Sequence, residues 1–553
     1  MSGHETFDYV IVGAGSAGCV LANRLSADPA LKVLLLEAGP EDDNLFIHMP
    51  LAFAYALADD RFNWFYKSEP EPYMDNRRMY CPRGRVLGGS SSINGMLYIR
   101  GHARDYDRWA QGGLPGWDYA HVLPYFRRAE TREQGADDYH GGDGPLYVST
   151  GPCRNPLFKA WLDAGPQAGF PSTDDVNGRQ QEGFGSYDMT VRRGRRWSSA
   201  AAYLRPALRR PNLTVRTRAL ARKILFEGGR AVGVDYALKG QPHSVRAERE
   251  VILSGGVINS PQLLMLSGVG PADHLRQLGL SVQHDLPGVG QNLQDHLEIY
   301  VQMECTQPIS LYSATKPLNK LIIGAQWLLF GSGPAASNAF EAGGFIRSNE
   351  SAEHPNLQYH FLPMAVSYDG STPQSGHGFQ AHVGPMRPTS VGWLKLRSAD
   401  PATHPIIQFN YMQSEMDRQE MREAVLITRE VLAQKAFDPY RGRELAPGPQ
   451  ITSDADIDAF IRAKAESAYH PSCTCKMGND DMAVTDGQTR VRGLEGLRVV
   501  DASIMPSVVS GNLNAPVIMM AEKAADMILG RPPLAPSTAP VHVGGPGPIR
   551  KST

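Results

Sequence analysis

Six residues near the start of the chain, Gly13-Ala14-Gly15-Ser16-Ala17-Gly18, have the spacing that holds a pyrophosphate. The first glycine permits a tight turn, the second lets the backbone approach phosphate oxygens, and the third lets a helix pack against its strand. The helix opening there would offer unpaired N–H groups and a partial positive charge to the phosphates. Glu37, next to Ala38, lies 19 residues beyond Gly18. Its carboxylate can accept hydrogen bonds from an adenosine ribose and would repel a 2′-phosphate. This group of residues points to a dinucleotide and does not separate NAD from FAD. A proton acceptor is harder to choose, because the chain has 16 histidines and any imidazole titrates in the useful range. Cys473 and Cys475 form a C-x-C with no second pair nearby, so no metal is expected: a closed zinc site takes four ligands.

These residues need a scaffold. Residues 7–12 form a buried strand, 13–26 a glycine turn opening a helix, and 32–37 a second apolar strand. That unit begins a doubly wound α/β domain. Further strands are expected over 213–227, 230–236 and 248–254, the last leading into a helix at 260–266. Residues 356–411 change character: short β-rich segments alternate with Gly, Ser and Pro turns, which suggests an antiparallel sheet. Helices are expected over 414–433 and 454–467, a strand over 497–501 and a final helix over 516–529. From Pro532 the composition of Pro, Gly and Ser predicts a disordered tail.

At 553 residues, two interlocked domains are expected rather than one core. The charges, 55 basic against 57 acidic, give no reason to expect nucleic acid. No apolar run reaches the ~18 residues of a membrane span, and the first residues lack a signal-peptide or presequence pattern. The expected location is a bacterial-type cytoplasm or the cytoplasmic face of the inner membrane, held peripherally. Six scattered cysteines read as free thiols.

Longer motifs carry a family resemblance. The stretch 84–95, GRVLGGSSSING, resembles the first signature of the glucose–methanol–choline (GMC) oxidoreductases, and 256–270 resembles the second. GVGQNLQDH (288–296), YHPSCTCKMG (469–478) and RVVDASIMP…GNLNAP (498–516) extend the likeness, in order, to the tail. Within the family, NWFYKSEPEPYMDNRRM, DYHGGDGPLYV, FEAGGFIRS, QYHFLP and HGFQAHVGPMR are similar to its bacterial choline-oxidising members.

The resemblance implies a discontinuous Rossmann-like FAD-binding domain (1–155, 212–310 and 476–531) and a substrate domain with an antiparallel sheet (156–211 and 311–475), followed by the tail at 532–553. It adds Gly88, Gly89, Ser91, Asn94, Gly95, Met96, Leu97, Ala221, Asp501, Asn512, Ala515 and Pro516 to the cofactor contacts. Some relatives link the flavin covalently through a histidine at the position of Ile93; isoleucine cannot, so FAD is expected to be non-covalent.

Alcohol oxidation needs a hydride acceptor, which no side chain provides and a flavin does, and a proton acceptor. The resemblance assigns the second role to His470, with Asn514 beside it as a neutral donor to the developing alkoxide. It also suggests Trp64, Phe340 and Tyr469 as aromatic faces for a trimethylammonium group, and His360 as a positioning histidine. Glu341 is a candidate source of negative charge. The expected reaction is choline to betaine aldehyde, and on to glycine betaine, with a quinone-type electron acceptor. Aliphatic or polyether alcohols, oxygen as acceptor, and a flavin-binding module without alcohol chemistry stay open.

Overall fold

A run made only of buried apolar residues must be covered on both faces, and Tyr9–Val12 of the strand Glu5–Val12 and the whole of Val33–Leu36 are such runs. They pair in parallel, Tyr9 opposite Val33, at the centre of a seven-stranded sheet. The sheet order is Leu213–Arg216, Val33–Leu36, Glu5–Val12, Gln241–Leu253, Arg230–Leu238 and Ala219–Glu227, with Leu497–Val499 also on Gln241–Leu253. This computed structural model describes residues 5–366, 376–542 and 544.

The expected strand 213–227 is two strands. Arg218 turns the chain with φ +56°, sending Leu213–Arg216 to the parallel edge and Ala219–Glu227 to an antiparallel one. The strand expected at 248–254 begins at Gln241, where it forms a hairpin with Arg230–Leu238. Helix Ser16–Leu25 leaves the sheet where its glycine turn was expected, and the helix expected at 260–266 begins four residues earlier, at Gly256.

The second sheet is antiparallel and runs Arg441–Ala446, Leu297–Cys305, Gly378–Pro385, Leu357–Leu362, Ala342–Ile346 and Gly183–Ser186. Two of the four segments expected in 356–411 belong to it. The other two, Trp393–Lys395 and Ile406–Gln408, form a separate ribbon tied to the first unit through Gly290 and Leu394. The helix expected at 454–467 stops at Lys464, because Glu466–Ser467 is taken up as a strand against Leu297–Cys305.

The stretch from Pro532, expected to be disordered, runs along the first unit over its described part. Leu534 N donates to Tyr125 Oη, Ser537 N to the Ala120 carbonyl and His542 N to the Arg179 carbonyl. Leu534, Ala539 and Val541 pack on the core, and these contacts supply what its composition lacks. Residues 543 and 545–553 of this expectation lie outside the described residues. All six cysteines are free thiols. No helix among the described residues is long and apolar enough to cross a membrane.

Candidate active site

A cavity of about 1740 Å³ lies between the two sheets, larger than the ~300–1,000 Å³ of a typical small-ligand pocket. At one end two glycine turns meet. Gly13 has φ +100°, and a Cβ there would stand 2.4 Å from the Ser254 carbonyl. Gly89 has φ +53°, and a Cβ there would stand 2.7 Å from Gly15 Cα. A side chain at Gly13 would strike the backbone at Ser254, and one at Gly89 would fill the space between the two turns. Ser254 Oγ, on the cavity wall, is buried without a hydrogen-bond partner, and the N-terminus of Ser16–Leu25 has no side-chain cap. A phosphate-bearing cofactor would satisfy both. Glu37 accepts from Ala14 N and Gly39 N, each at 2.8 Å, and burial pushes its carboxyl up to about 7.

Most of the expected cofactor positions line this cavity: Gly13, Gly15, Ser16, Ala17, Glu37, Ala38, Gly89, Ser91, Asn94, Gly95, Met96, Leu97, Ala221, Asp501 and Asn512. Ala14, Gly18, Gly88, Ala515 and Pro516 do not reach its wall. Gly18 packs on the Gly13 carbonyl, Ala14 O accepts from Gly88 N, and Ala515 and Pro516 are buried in the first turn of the last helix. These five shape the turns from behind. Ile93 is on the wall and also packs with Ile47, Ala56, Phe62 and Val86.

At the other end the antiparallel sheet presents its polar face. Glu298 and Tyr300 alternate onto one side of their strand; Tyr300 pairs with His382, and His382 with His360. Glu298 Oε1 is 3.2 Å from His382 Nδ1 and Oε2 is 3.6 Å from His360 Nδ1. Burial alone would raise its pKa; the two imidazoles outweigh that and hold the carboxyl well below the usual range. Gln380 Oε1 accepts from Val366 N, so its Nε2 donates to His382 Nε2 at 2.6 Å. His382 therefore accepts at Nε2 and turns its Nδ1 hydrogen to Glu298. His360 Nε2 is buried with no hydrogen-bond partner.

The expected anion, Glu341, is occupied elsewhere: Oε2 accepts from Cys153 N at 2.6 Å and Oε1 from Ser337 Oγ at 2.5 Å, away from the wall. Phe340 and Tyr469 are on the wall, Phe340 edge-on to His382 at 5.4 Å. Trp64 is there too, but the Arg85 guanidinium already lies 4.9 Å from its ring centre.

His470 sits between these ends, on the loop after Glu466–Ser467. Its N–H donates to Asp295 at 2.8 Å, and Asp295 also receives the Tyr411 and Ser467 hydroxyls. His470 Nδ1 is 3.0 Å from His296 Nδ1, and His296 Nε2 is 2.9 Å from the Met386 carbonyl. A carbonyl only accepts, so His296 carries its hydrogen on Nε2. Burial pushes His296 down to about 4, so it is uncharged at neutral pH and its Nδ1 is a bare acceptor. His470 must then carry its hydrogen on Nδ1. Burial, then the neighbouring His296 and His360, holds His470 well below its usual range. Its Nε2 is consequently a lone pair facing the cavity.

Asn514 was expected beside that lone pair. It begins the last helix instead, accepting from Ser16 Oγ at 2.7 Å beside the phosphate turn. Asn512 holds the place, with Nδ2 2.9 Å from His470 Nε2 and Oδ1 accepting from Gln358 at 3.0 Å. The two asparagines thus exchange the positions that the sequence suggested. His296, Glu298, Tyr300 and His382 are additional site residues; the alternation of Glu298 and Tyr300 directly after the 288–296 motif was the available signal.

A GMC oxidoreductase family model matches residues 7–298, and a second GMC oxidoreductase model matches 388–521. The chain is 59% identical to a protein of Stenotrophomonas maltophilia named oxygen-dependent choline dehydrogenase, covering 100% of both. It is also 59% identical to mitochondrial choline dehydrogenase of Mus musculus, over 98% of this chain and 92% of the relative. Among solved structures, pyridoxine 4-oxidase from Mesorbium loti superposes with a TM-score of 0.87 at 32% identity, covering 95% of this chain and 100% of that one. A formate oxidase gives 0.90 at 26% identity, covering 96% and 99%.

Proposed function

The chain belongs to the GMC oxidoreductase family, and on that footing we propose that it oxidises choline to betaine aldehyde, and the aldehyde hydrate to glycine betaine. It is an FAD-dependent oxidoreductase acting on CH–OH donors. FAD, when bound, supplies the hydride acceptor that side chains lack. Residues of the glycine turns, with Glu37, Ser254, Asn514 and Asp501, would hold it without a covalent link at Ile93.

The residues of this chain do the rest. His470 Nε2 takes the hydroxyl proton, and Asn512 Nδ2 donates to the oxygen as negative charge develops. The proton cannot pass onward through His296, because that path ends at the Met386 carbonyl. It leaves from Nε2, on the cavity side. His360 Nε2, lacking a partner, is free to hydrogen-bond the substrate oxygen.

The observation that carries choline is the buried Glu298 carboxylate on an aromatic wall. A quaternary ammonium cannot donate a hydrogen bond, and its recognition rests on nearby negative charge and aromatic faces. Phe340, Tyr469 and Tyr300 supply the faces and Glu298 the charge, with Trp64 contributing less because Arg85 covers it.

The test mixes the holoenzyme anaerobically with choline and, separately, with hexanol, following loss of the flavin's visible absorbance. Choline should bleach wild type, and Glu298→Gln should raise the choline concentration needed by ~10-fold or more while changing hexanol little. Bleaching by hexanol and not choline would overturn the reading.

For the acceptor we favour a quinone-type molecule. The name of the Stenotrophomonas relative supports oxygen as a second reading, and reoxidation by air against a quinone analogue separates them. We assign FAD binding to 1–155, 212–310 and 476–531 and substrate binding to 156–211 and 311–475, in a protein of the bacterial cytoplasm or the cytoplasmic face of the inner membrane.

A further inference from the structure

The helix Pro317–Phe330 is apolar on the wrong side. A surface helix ordinarily turns its apolar stripe to the core and its polar face to water. Here only Trp327 is buried, its Nε1 donating to the Gly194 carbonyl at 2.6 Å. Leu318, Leu321, Ile322, Leu328, Leu329 and Phe330 are 57–75% exposed, most of them on one outward stripe at three- and four-residue spacings. Lys320 of this helix reaches Tyr55 Oη at 3.0 Å, and Tyr55 in turn packs against Phe46 at 5.2 Å, both half exposed, with Leu45 alongside. Nine of the fifteen large apolar side chains exposed among the described residues lie on this helix and its neighbouring 45–55 segment.

The charges around this face have one sign. Lys316 and Lys320 stand at the start of the helix, and Arg192, Arg193 and Arg195 are exposed on the loop that meets its end. None of the five has a carboxylate among the ion pairs of the described residues, and the sequence holds no acidic residue from Thr306 to Phe340 or from Asn44 to Ala58. Leu45, Phe46, Tyr55, Lys320, Leu321 and Leu328 also line the cavity, so it opens within this face.

We propose that this face docks the protein on an anionic lipid bilayer, with the cavity mouth opening into the lipid so that apolar molecules enter from the membrane. Exposed apolar side chains beside unpaired cations are the combination that an interfacial helix uses on anionic headgroups. A second copy of the chain fits less well, because a two-fold contact would press the same five cations against themselves. This deepens the peripheral placement proposed above and is independent of which alcohol is oxidised.

The test floats the holoenzyme with vesicles of equal parts phosphatidylcholine and phosphatidylglycerol. Wild type should co-float. Ile322→Glu/Leu329→Glu, which alters no cavity-lining residue, should bind about ten-fold or more weakly while keeping its flavin and its choline-driven flavin reduction in solution. Lys316→Glu/Arg193→Glu should lose the preference for these vesicles over pure phosphatidylcholine. Failure of wild type to float, or equal flotation of Ile322→Glu/Leu329→Glu, would overturn the proposal. So would a shift of that variant from dimer to monomer on sizing with no lipid binding by either form. Loss of choline-driven reduction in wild type would instead count against the substrate reading and leave this one standing.

Discussion

The Met386 carbonyl has no proton to give, and that fixes the protonation of two histidines in turn. His296 must donate to it, His470 must donate to His296, and Nε2 of His470 is left bare where an alcohol would lie. Asn512 then meets that lone pair with an N–H, because its own carbonyl oxygen is taken by Gln358. The two asparagines of GNLNAP are two residues apart and chemically identical, so composition could not rank them. What separates them is that Asn514 begins a helix against Ser16 while Asn512 precedes it on a loop. Asn512→Ala should slow flavin reduction by ~100-fold with FAD retained, as expected for loss of a donor to a developing oxyanion. Asn514→Ala should keep the rate within a few-fold and loosen FAD. Anaerobic stopped-flow with flavin-content assays checks this, and the reverse pattern would restore Asn514 to the base. His470 itself was legible only through its motif, and Glu341 was misleading because a carboxylate's partners are not written beside it.

At the scale of elements, the first nucleotide turn was legible because its signal is local: apolar strand, glycine spacing, helix and acid all fall within about thirty residues, the span of a βαβ unit. The second turn depends on contact between distant segments, since Gly89 Cα stands where any Cβ would strike Gly15. Gly89→Ala combines that collision with a left-handed backbone that costs ~1–2 kcal/mol for an L-residue. The variant should purify largely without FAD and with unchanged far-UV circular dichroism; full flavin content would show that the turns do not need this approach. The same non-locality explains the strand errors. Nothing in 213–227 announces that Arg218 will break it into two strands on opposite edges of the sheet, and Glu466–Ser467 is a strand only because Leu297–Cys305 offers it an edge. Likewise, composition alone made 532–542 a disordered tail, while Tyr125, Ala120 and Arg179 supply the partners that hold it.

For the whole molecule, the buried histidines connect the site to folding. His296 sits at about 4 in the folded chain against ~6.5 in an unfolded one. Between those values the unfolded state binds a proton that the folded state refuses, so His296 contributes stability that is complete above pH ~6.5 and is lost as pH falls toward about 4. Glu37 and Asp295, raised by burial to about 7 and about 6, act in the opposite sense: their contribution is present at low pH and lost as pH rises through those values. They stay in both proteins when His296→Leu is compared with wild type. The wild-type unfolding free energy in urea, less that of the variant, should therefore grow as pH rises from ~4 to ~6.5, by about 1 kcal/mol per pH unit. Parallel pH profiles would mean that His296 is charged in the native state, and the tautomer assignment at His470 would fall with it.

That assignment bears on the reaction itself. The most direct measurement is anaerobic reduction of the flavin by choline in His470→Ala. With the Nε2 lone pair gone and the FAD cradle untouched, reduction should slow by ~100-fold or more while flavin content stays full. Reduction at close to the wild-type rate would show that the hydroxyl proton is taken elsewhere.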